Sequence, residues 1–144
     1  MSEADKLARK VANTLRAHEG TGPAFGIEIE DAREGYARVR MVVRADMLNG
    51  HAMTHGGMIF LLADTAFAYA CNSRNVSTVA QNASISFLAP SKEGDVLVAE
   101  ARETALVSRS GVYQIGIRTT DGMHIAEFTG LSRSIGGAIV ADQD

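Results

Sequence analysis

Apolar residues recur at helical spacing near the start of the chain. Leu7, Val11 and Leu15 stand four positions apart among polar residues, which predicts an amphipathic helix over residues 3 to about 19. Gly20 and the glycine and proline that closely follow it end this helix. We therefore expect residues 1–20 to form an N-terminal helix.

Strand patterns dominate the rest of the chain. Residues 36–41 alternate apolar and polar side chains as a half-buried strand does, and Asp121-Gly122 is typical of a tight hairpin turn. Residues 44–54 form a polar loop. The predicted strands cover residues 27–34, 36–43, 78–88, 96–104, 112–120 and 124–133.

Residues 58–73 form a second helix whose side chains are apolar or small on nearly every face. A helix of that composition is buried on all sides. An antiparallel sheet of five to six strands wrapped around this long central helix would bury it, which gives an α+β fold in a single domain over residues 1–144. A sheet on its own leaves its edges open, so we expect a second copy of the chain to pair with it. Residues 138–144, after a glycine pair, are predicted to be a flexible tail.

Charge and composition exclude several classes of partner. The net charge is -3 and Lys and Arg form no block, which argues against a nucleic-acid partner. The longest apolar run, 58–71, is too short to span a bilayer comfortably, so we expect no membrane partner. The single cysteine, Cys71, cannot make an intrachain disulfide, and the charged N-terminus does not look like a secretory signal. We expect a cytoplasmic protein.

Asp64 is the only charged side chain in the central helix. It is either a structural carboxylate that neighbouring groups satisfy or a reactive one, because an unpaired buried charge is costly or shifts its pKa. Two turns of helix separate it from Gly57, about 10 Å along the axis and on the same face. A carboxylate in that position can attack a bound carbonyl or deprotonate a water that attacks it.

The glycine pair Gly56 and Gly57 stands where the central helix begins. The first N–H groups of a helix have no partner within the helix, and without side chains a substrate carbonyl can approach them closely. Such donors stabilise the oxyanion of an acyl-transfer reaction by about 3–4 kcal/mol each. The same pair also fits a simple tight turn.

Two polar residues precede the glycines. His55 is expected to be neutral at the positive end of the helix dipole, either orienting a thioester or acting as a cap. Asn49, taken alone, is a turn former in Asn49-Gly50. The other histidines show no metal-ligand spacing, so neither a metal nor another cofactor is expected.

At this point the motifs resemble a known family. The segments Leu48-Asn49-Gly50-His51, His55-Gly56-Gly57 and the run 62–72 around Asp64, supported by Phe87-Leu88-Ala89-Pro90, closely resemble the PaaI-type hotdog thioesterases over roughly residues 20 to 137. The resemblance implies the hotdog fold, in which a sheet wraps a central helix. It also implies homodimers with a continuous sheet, paired into tetramers, and active sites at the dimer interface.

Matched position by position, the resemblance assigns roles to four catalytic candidates. Asp64 matches the catalytic carboxylate of the family, and Gly56 matches the N–H that binds the thioester oxygen, with Gly57 in the same turn. His55 and Asn49 match the polar pair beside the thioester, which raises Asn49 from a turn residue to a catalytic candidate.

The resemblance also indicates where coenzyme A (CoA) would bind, although these contacts vary among members. Gln81, Asn82 and Ser84 lie on the strand that the family uses near the thioester. The family approaches the nucleotide end of CoA around Arg109, Ser110 and Gly111, where Arg109 is a phosphate partner or simply a solvated side chain.

The resemblance therefore implies an acyl-CoA thioesterase with Asp64 as general base or nucleophile. The expected substrate is phenylacetyl-CoA or a ring-hydroxylated or ring-modified relative, in aerobic phenylacetate degradation. A medium-chain acyl-CoA thioesterase and a non-catalytic acyl-CoA sensor on the same fold are the alternatives. A dehydratase is a further alternative, but the arrangement of His55, the glycines and Asp64 resembles thioesterases instead.

Overall fold

The computed structural model describes residues 1–141, and this part of the chain forms three α-helices and six β-strands. The helices are α1 (Glu3–His18), α2 (Thr21–Phe25) and α3 (Gly56–Cys71). The strands are β1 (Glu28–Arg33), β2 (Tyr36–Val42), β3 (Thr78–Phe87), β4 (Val96–Val107), β5 (Ser110–Thr119) and β6 (His124–Ser134). The predicted order of an N-terminal helix, two strands, a central helix and four strands is confirmed, with α2 as an additional element.

The six strands form one antiparallel sheet in the order β1-β2-β4-β5-β6-β3. β3 therefore lies at one edge, where it pairs with β6 on one side only. β4 and β5 form a long hairpin whose last pair is Val107 with Ser110. β4 runs three residues further than predicted and β5 starts two residues earlier, because a two-residue turn at Ser108, whose φ is 58°, closes the hairpin.

The central helix α3 contacts all six strands, as its uniformly apolar composition predicts. Phe67 packs against the rings of Tyr113 and Phe128, with ring centres 5.4 and 5.9 Å apart. β6 makes room for this ring with a glycine, because a Cβ on Gly130 would lie 2.7 Å from the Phe67 ring. The wrapped-helix architecture expected from the sequence is confirmed.

The N-terminal helix α1 covers β1 and one end of α3. Its buried stripe is formed by Ala8, Val11 and Ala12, and Ser2 caps its N-terminus by accepting the N–H of Asp5 at 3.0 Å. The short helix α2 was not expected, because its Thr-Gly-Pro sequence was interpreted only as a helix stop. Proline is compatible with the first turn of a helix, which is all that α2 contains.

Asn75 anchors the chain after β6. Its side-chain oxygen accepts the N–H groups of Ile139 and Val140, both at 2.9 Å, and its amide donates to the Val140 carbonyl at 2.9 Å. These two residues belong to the segment 138–144 that was predicted to be a flexible tail. Residues 142–144 lie outside the described part. Within residues 1–141, no helix combines the length and apolar character needed to cross a membrane.

Candidate active site

Two loops hold the N-terminus of α3. His55 donates its backbone N–H to the carbonyl of Met47 at 2.8 Å, and Thr54 donates its own to the carbonyl of Ser91 at 2.9 Å. The Ser91 hydroxyl also donates to the Thr54 hydroxyl at 2.7 Å, and both residues are buried. The start of the helix is therefore fixed by the loop before it and by the loop after β3.

His55 is the N-cap residue of α3. Its Nδ1 atom accepts the N–H of Gly57 at 2.8 Å, which requires the imidazole to carry its proton on Nε2. The cap role considered for His55 from the sequence is thus present. The His55 ring therefore accepts the N–H of Gly57, which was one of the two donors expected to be available to a substrate carbonyl.

Gly56 retains a free N–H. It is the first residue of α3, so its N–H has no acceptor within the helix, and no other residue between 1 and 141 accepts it. The helix dipole places partial positive charge at this group. Of the glycine pair, it is therefore Gly56 that can polarise a bound carbonyl oxygen.

Asn49 forms the turn that the sequence predicts. Its side-chain oxygen accepts the N–H groups of His51 at 2.9 Å and Met53 at 3.2 Å, which shapes the turn. Backbone donors occupy the oxygen, and within the described residues the amide nitrogen has no acceptor. Asn49 thus forms the turn and still offers a donor.

Asn49 and Gly56 line the same cleft, with a volume of about 410 Å³. Ile59 from α3 and Phe87, at the end of β3, form part of its apolar wall. A Cβ on Gly56 would lie 3.0 Å from the Phe87 ring, so this ring touches the residue that carries the free N–H. The structure therefore brings together Asn49, Gly56, and the turn that holds His55 and Gly57.

Asp64 lies two turns further along α3 and is partly buried. Burial raises the pKa of its carboxyl group, and no hydrogen bond or ion pair within residues 1–141 compensates this effect. The carboxylate is thus without the partners that a structural aspartate needs. The cleft lined by Gly56 does not include it. One chain alone therefore does not bring the carboxylate to the free N–H of Gly56.

Cys71 lies two turns beyond Asp64 on the same face of α3. Burial, and secondly the negative charge of Asp64, raise the pKa of its thiol to about 12. The thiol therefore stays protonated near neutral pH and is a poor nucleophile. Within residues 1–141, His, Cys, Asp and Glu side chains form no group of three that could hold a metal ion.

The residues expected near the CoA nucleotide lie at the other end of α3. Arg109 lines a second cleft of about 390 Å³ there, together with Arg74 and Cys71. Gly111 does not line this cleft. It is buried against Tyr113, whose ring would lie 2.8 Å from a Cβ added to the glycine. Ser110 begins β5 beside these residues. This cleft is separate from the one that Gly56 lines.

The β3 candidates do not face the cleft. Ala83 pairs with Gly130, which faces Phe67 of α3, so its neighbours Asn82 and Ser84 point away from the helix. Gln81 is the additional residue of a β-bulge and is exposed. Within one chain, none of these three polar residues contributes to the Gly56 cleft.

Sequence reasoning did not identify two features of this site. The buried pair Thr54 and Ser91 is far apart in sequence, and nothing local indicates that the two hydroxyls meet. Phe87 was noticed only as part of a familiar motif. Its position at the end of a strand pattern, three residues before Pro90, is the signal that could have identified an aromatic residue at the edge of the sheet.

Comparison with known proteins identifies the family of this chain. The model of the family described as the thioesterase superfamily matches residues 51–126. The acyl-coenzyme A thioesterase PaaI of Escherichia coli is 44% identical over 131 residues, which cover 91% of this chain and 94% of that protein.

Solved structures extend the match to the fold. The Escherichia coli PaaI protein, from the phenylacetic acid degradation operon, superposes with a TM-score of 0.93 at 42% identity over 94% of this chain and 99% of that one. A variant of the phenylacetic acid degradation protein PaaI from Thermus thermophilus superposes with a TM-score of 0.78 at 32% identity. The match covers 81% of this chain and 100% of that one. A hypothetical thioesterase protein with coenzyme A from Streptococcus pneumoniae superposes with a TM-score of 0.77 at 26% identity. The match covers 81% of this chain and 91% of that one.

The expected hotdog architecture is thus confirmed. The family model spans 76 of the 144 residues, counted from 51 to 126, and the Escherichia coli relative aligns over nearly the whole chain. This protein therefore belongs to the thioesterase superfamily and has the fold of its PaaI-like members.

Proposed function

We propose that this thioesterase hydrolyses an acyl-CoA thioester to the free acid and CoA. The observation that carries the proposal is the free N–H of Gly56, which lies in a cleft beside the free amide of Asn49. A free N–H at a helix N-terminus, with a side-chain amide lining the same cleft, suits a carbonyl oxygen that gains negative charge during the reaction. The name of the Escherichia coli relative, an acyl-coenzyme A thioesterase, supports CoA as the carrier.

The chemistry then needs a base or a nucleophile, and Asp64 is the candidate. As a general base it takes a proton from water, the hydroxide adds to the carbonyl carbon, and the carbon–sulfur bond breaks. CoA leaves as a thiolate and receives a proton. As a nucleophile, the carboxylate adds to the carbonyl carbon, the carbon–sulfur bond breaks to release CoA thiolate, and water then hydrolyses the resulting mixed anhydride. Desolvation favours either role, because a carboxylate without hydrogen-bond donors is a stronger base.

A second copy of the chain would bring these groups together. In one chain, about 10 Å of helix separates Asp64 from the glycine pair, too far for one water or one carboxylate to reach a carbonyl held by Gly56. We infer that Asp64 acts on the thioester bound at Gly56 of a partner subunit. His55 then orients the donor turn.

Two unpartnered surfaces support such a dimer. From residue 61 onward, the residues of α3 that are not fully buried are spaced by three or four and form one stripe: Leu61, Asp64, Ala68 and Cys71. The neighbouring edge strand β3 is exposed along most of its length. A second β3, added antiparallel, would cover both and continue the sheet. We propose a dimer of this kind, with two dimers forming a tetramer.

The proposed acyl group is phenylacetyl or a ring-hydroxylated or ring-modified relative. Support comes from the Escherichia coli structure, a protein from the phenylacetic acid degradation operon. The apolar cleft beside Gly56 suits such a ring. We accordingly propose a role in aerobic phenylacetate degradation in the cytoplasm, where acyl-CoA esters are available. CoA itself would extend toward the cleft that Arg109 lines, where its phosphates meet positive charge.

Thiol release from a panel of CoA esters tests the proposal. Phenylacetyl-CoA, hydroxyphenylacetyl-CoA, benzoyl-CoA and octanoyl-CoA are compared at equal concentration, and free CoA is followed with a thiol reagent. We expect turnover, with the highest kcat/KM for an arylacetyl ester. Preference for octanoyl-CoA would instead identify a medium-chain thioesterase. Binding of the esters without thiol release would identify a sensor and contradict the proposal.

A further inference from the structure

Two hydroxyl groups bond to each other beside the start of α3 and leave one proton unused. The Ser91 hydroxyl donates to Thr54 Oγ1 at 2.7 Å, and neither hydroxyl has another partner within residues 1–141. Two hydroxyl groups carry two protons, and a single hydrogen bond uses only one of them. With Ser91 as the donor, the proton without an acceptor is the one on Thr54.

Burial leaves this proton one place to find an acceptor. Thr54 is 5% exposed and Ser91 4%, so bulk water hardly reaches either residue. Buried hydroxyl groups in folded proteins nearly always have a partner for hydrogen bonding. Both residues line the same cleft as Gly56, the residue with the free N–H. The acceptor therefore comes from the cleft, where a substrate binds in the proposed reaction.

The backbone holds Thr54 in place before any substrate binds. Its N–H donates to the Ser91 carbonyl at 2.9 Å, and it forms an isolated β-bridge with Leu48. The next residue, His55, donates its N–H to the carbonyl of Met47 at 2.8 Å. Donors that are fixed in this way need no reorganisation when charge develops on a bound oxygen.

The chemistry of a thioester identifies the acceptor. Its carbonyl oxygen is a strong acceptor that gains negative charge during the reaction, whereas its sulfur is a weak acceptor and a hydrocarbon acyl group offers none. Thr54 and Gly56 are two positions apart in the chain, so their Cα atoms lie within about 7.6 Å of each other. This separation permits one oxygen atom to contact both donors.

We propose that Thr54 is a further catalytic residue, whose hydroxyl donates to the thioester carbonyl oxygen together with the N–H of Gly56. Ser91 acts through Thr54 as a positioning residue. The bond that it donates orients the Thr54 hydroxyl and polarises it, because hydrogen bonds in a chain strengthen one another. The inference rests on the proposed thioesterase reaction and adds to it a donor that does not depend on the acyl group.

Thr54→Val tests this donor. Valine has nearly the shape of threonine without the hydroxyl, so kcat should fall about 10–100-fold with little change in KM, because the lost bond strengthens as the oxygen gains charge. Thr54→Ser keeps a hydroxyl and should recover most of kcat. The control is Thr119→Val, since Thr119 is also nearly buried but does not line the cleft. Its kcat should be unchanged.

The choice of ester separates the carbonyl oxygen from other acceptors. Every thioester has this oxygen, so Thr54→Val should lower kcat by the same factor for acetyl-CoA, phenylacetyl-CoA and hydroxyphenylacetyl-CoA. A loss confined to the hydroxylated ester would show that Thr54 bonds to an oxygen on the ring, which would overturn the inference. If the wild-type protein releases no thiol from any ester, it is the proposed function that fails.

Ser91→Ala tests the positioning role. It should lower kcat by less than Thr54→Val does, because the Thr54 hydroxyl remains but is no longer oriented. Added to Thr54→Val, it should have no further effect on kcat, since Ser91 acts only through that hydroxyl. If Ser91→Ala lowers kcat by the same factor with and without the Thr54 hydroxyl, the positioning role is wrong.

A measurement that does not depend on turnover completes the test. A CoA analogue in which an isotope-labelled ketone replaces the thioester is bound to each protein, and the carbonyl stretch is recorded by infrared difference spectroscopy. A hydrogen bond to the carbonyl oxygen lowers this frequency. We expect the frequency to be higher in Thr54→Val than in wild type and unchanged in Thr119→Val. The same frequency in Thr54→Val and wild type would overturn the inference, whether or not the protein hydrolyses thioesters.

Discussion

The Nδ1 atom of His55 accepts the backbone N–H of Gly57 at 2.8 Å, and this bond leaves the neighbouring N–H of Gly56 as the free donor at the start of α3. The histidine thus has a defined structural task in addition to any contact with substrate. It orients the turn by satisfying the donor next to the one that the substrate needs. The two tasks make different predictions for substitutions.

Substitution of His55 separates capping from substrate contact. His55→Ala removes the cap and should lower the free energy of unfolding by about 1 kcal/mol, while reducing kcat/KM. His55→Ser restores a side-chain acceptor for the first turn and should recover the stability. Thermal unfolding and thiol-release kinetics are measured on both variants. If His55→Ser also recovers activity fully, the imidazole acts only as a cap; if activity stays low, the ring contacts the thioester.

Asp64→Asn tests the catalytic carboxylate. The amide is nearly isosteric but neither accepts a proton from water nor attacks a carbonyl, so kcat should fall by about 10²–10⁴-fold. Binding of a non-hydrolysable CoA analogue in which a ketone replaces the thioester, measured by calorimetry, should change little because the donors proposed to hold its carbonyl oxygen, at Gly56 and Asn49, remain. A variant that keeps most of its turnover would exclude Asp64 from the reaction.

The acid limb of the pH profile should report the same group. Burial raises the pKa of Asp64 above its usual value of 3.8, and only the ionised form acts as base or nucleophile. We therefore expect kcat/KM to fall with decreasing pH in a limb centred above 3.8, and Asp64→Asn to lack this limb. A profile that stays flat down to pH 4 would contradict the assignment.

Asp64→Asn should raise the stability of the fold although it lowers activity. Because the folded protein raises the pKa of Asp64, this carboxyl contributes stability below its unfolded pKa, and that contribution is lost as pH rises through the folded pKa. Asp64→Asn should therefore unfold at a higher temperature than wild type at pH 7, with the difference shrinking toward pH 4. A lower melting temperature at pH 7 would mean that the carboxylate has a stabilising partner in the oligomer.

Most of the fold could be predicted from the sequence, because it depends on local patterns. The uniformly apolar helix around Asp64 and the alternation in β2 predict a wrapped helix without further information. The limits of β4 and β5 were missed because the turn at Ser108 uses a left-handed conformation without glycine. The short helix α2 was missed because the glycine and proline in its sequence usually indicate a break.

The site could be predicted only in part, since its chemistry depends on which hydrogen-bond donors already have an acceptor within the protein. Gly56 and Gly57 are equivalent in sequence, and only the position of the His55 ring distinguishes them. The orientation of Asn82 and Ser84 depends on a bulge at Gln81, which changes which residues of β3 face α3. The pairing of Thr54 with Ser91 depends on two loops meeting in space.

The packing of α3 against β6 supplies a prediction about stability alone. A methyl group on Gly130 would lie 2.7 Å from the ring of Phe67, which is buried between the sheet and the helix. On the neighbouring strand, the nearest atom to a Cβ added at Gly116 would be a side-chain oxygen of Glu127, 3.5 Å away. Neither glycine has a positive φ, so alanine changes packing without backbone strain.

We expect Gly130→Ala to destabilise the fold by about 1–3 kcal/mol, because the ring cannot move without displacing α3. Gly116→Ala should change the free energy of unfolding by less than about 0.5 kcal/mol, as surface substitutions do. Urea unfolding of the two variants measures both values. Equal stabilities would show that Phe67 has space to move aside. In that case α3, which carries both Gly56 and Asp64, would pack less tightly against the sheet than the close contact between Gly130 and Phe67 indicates.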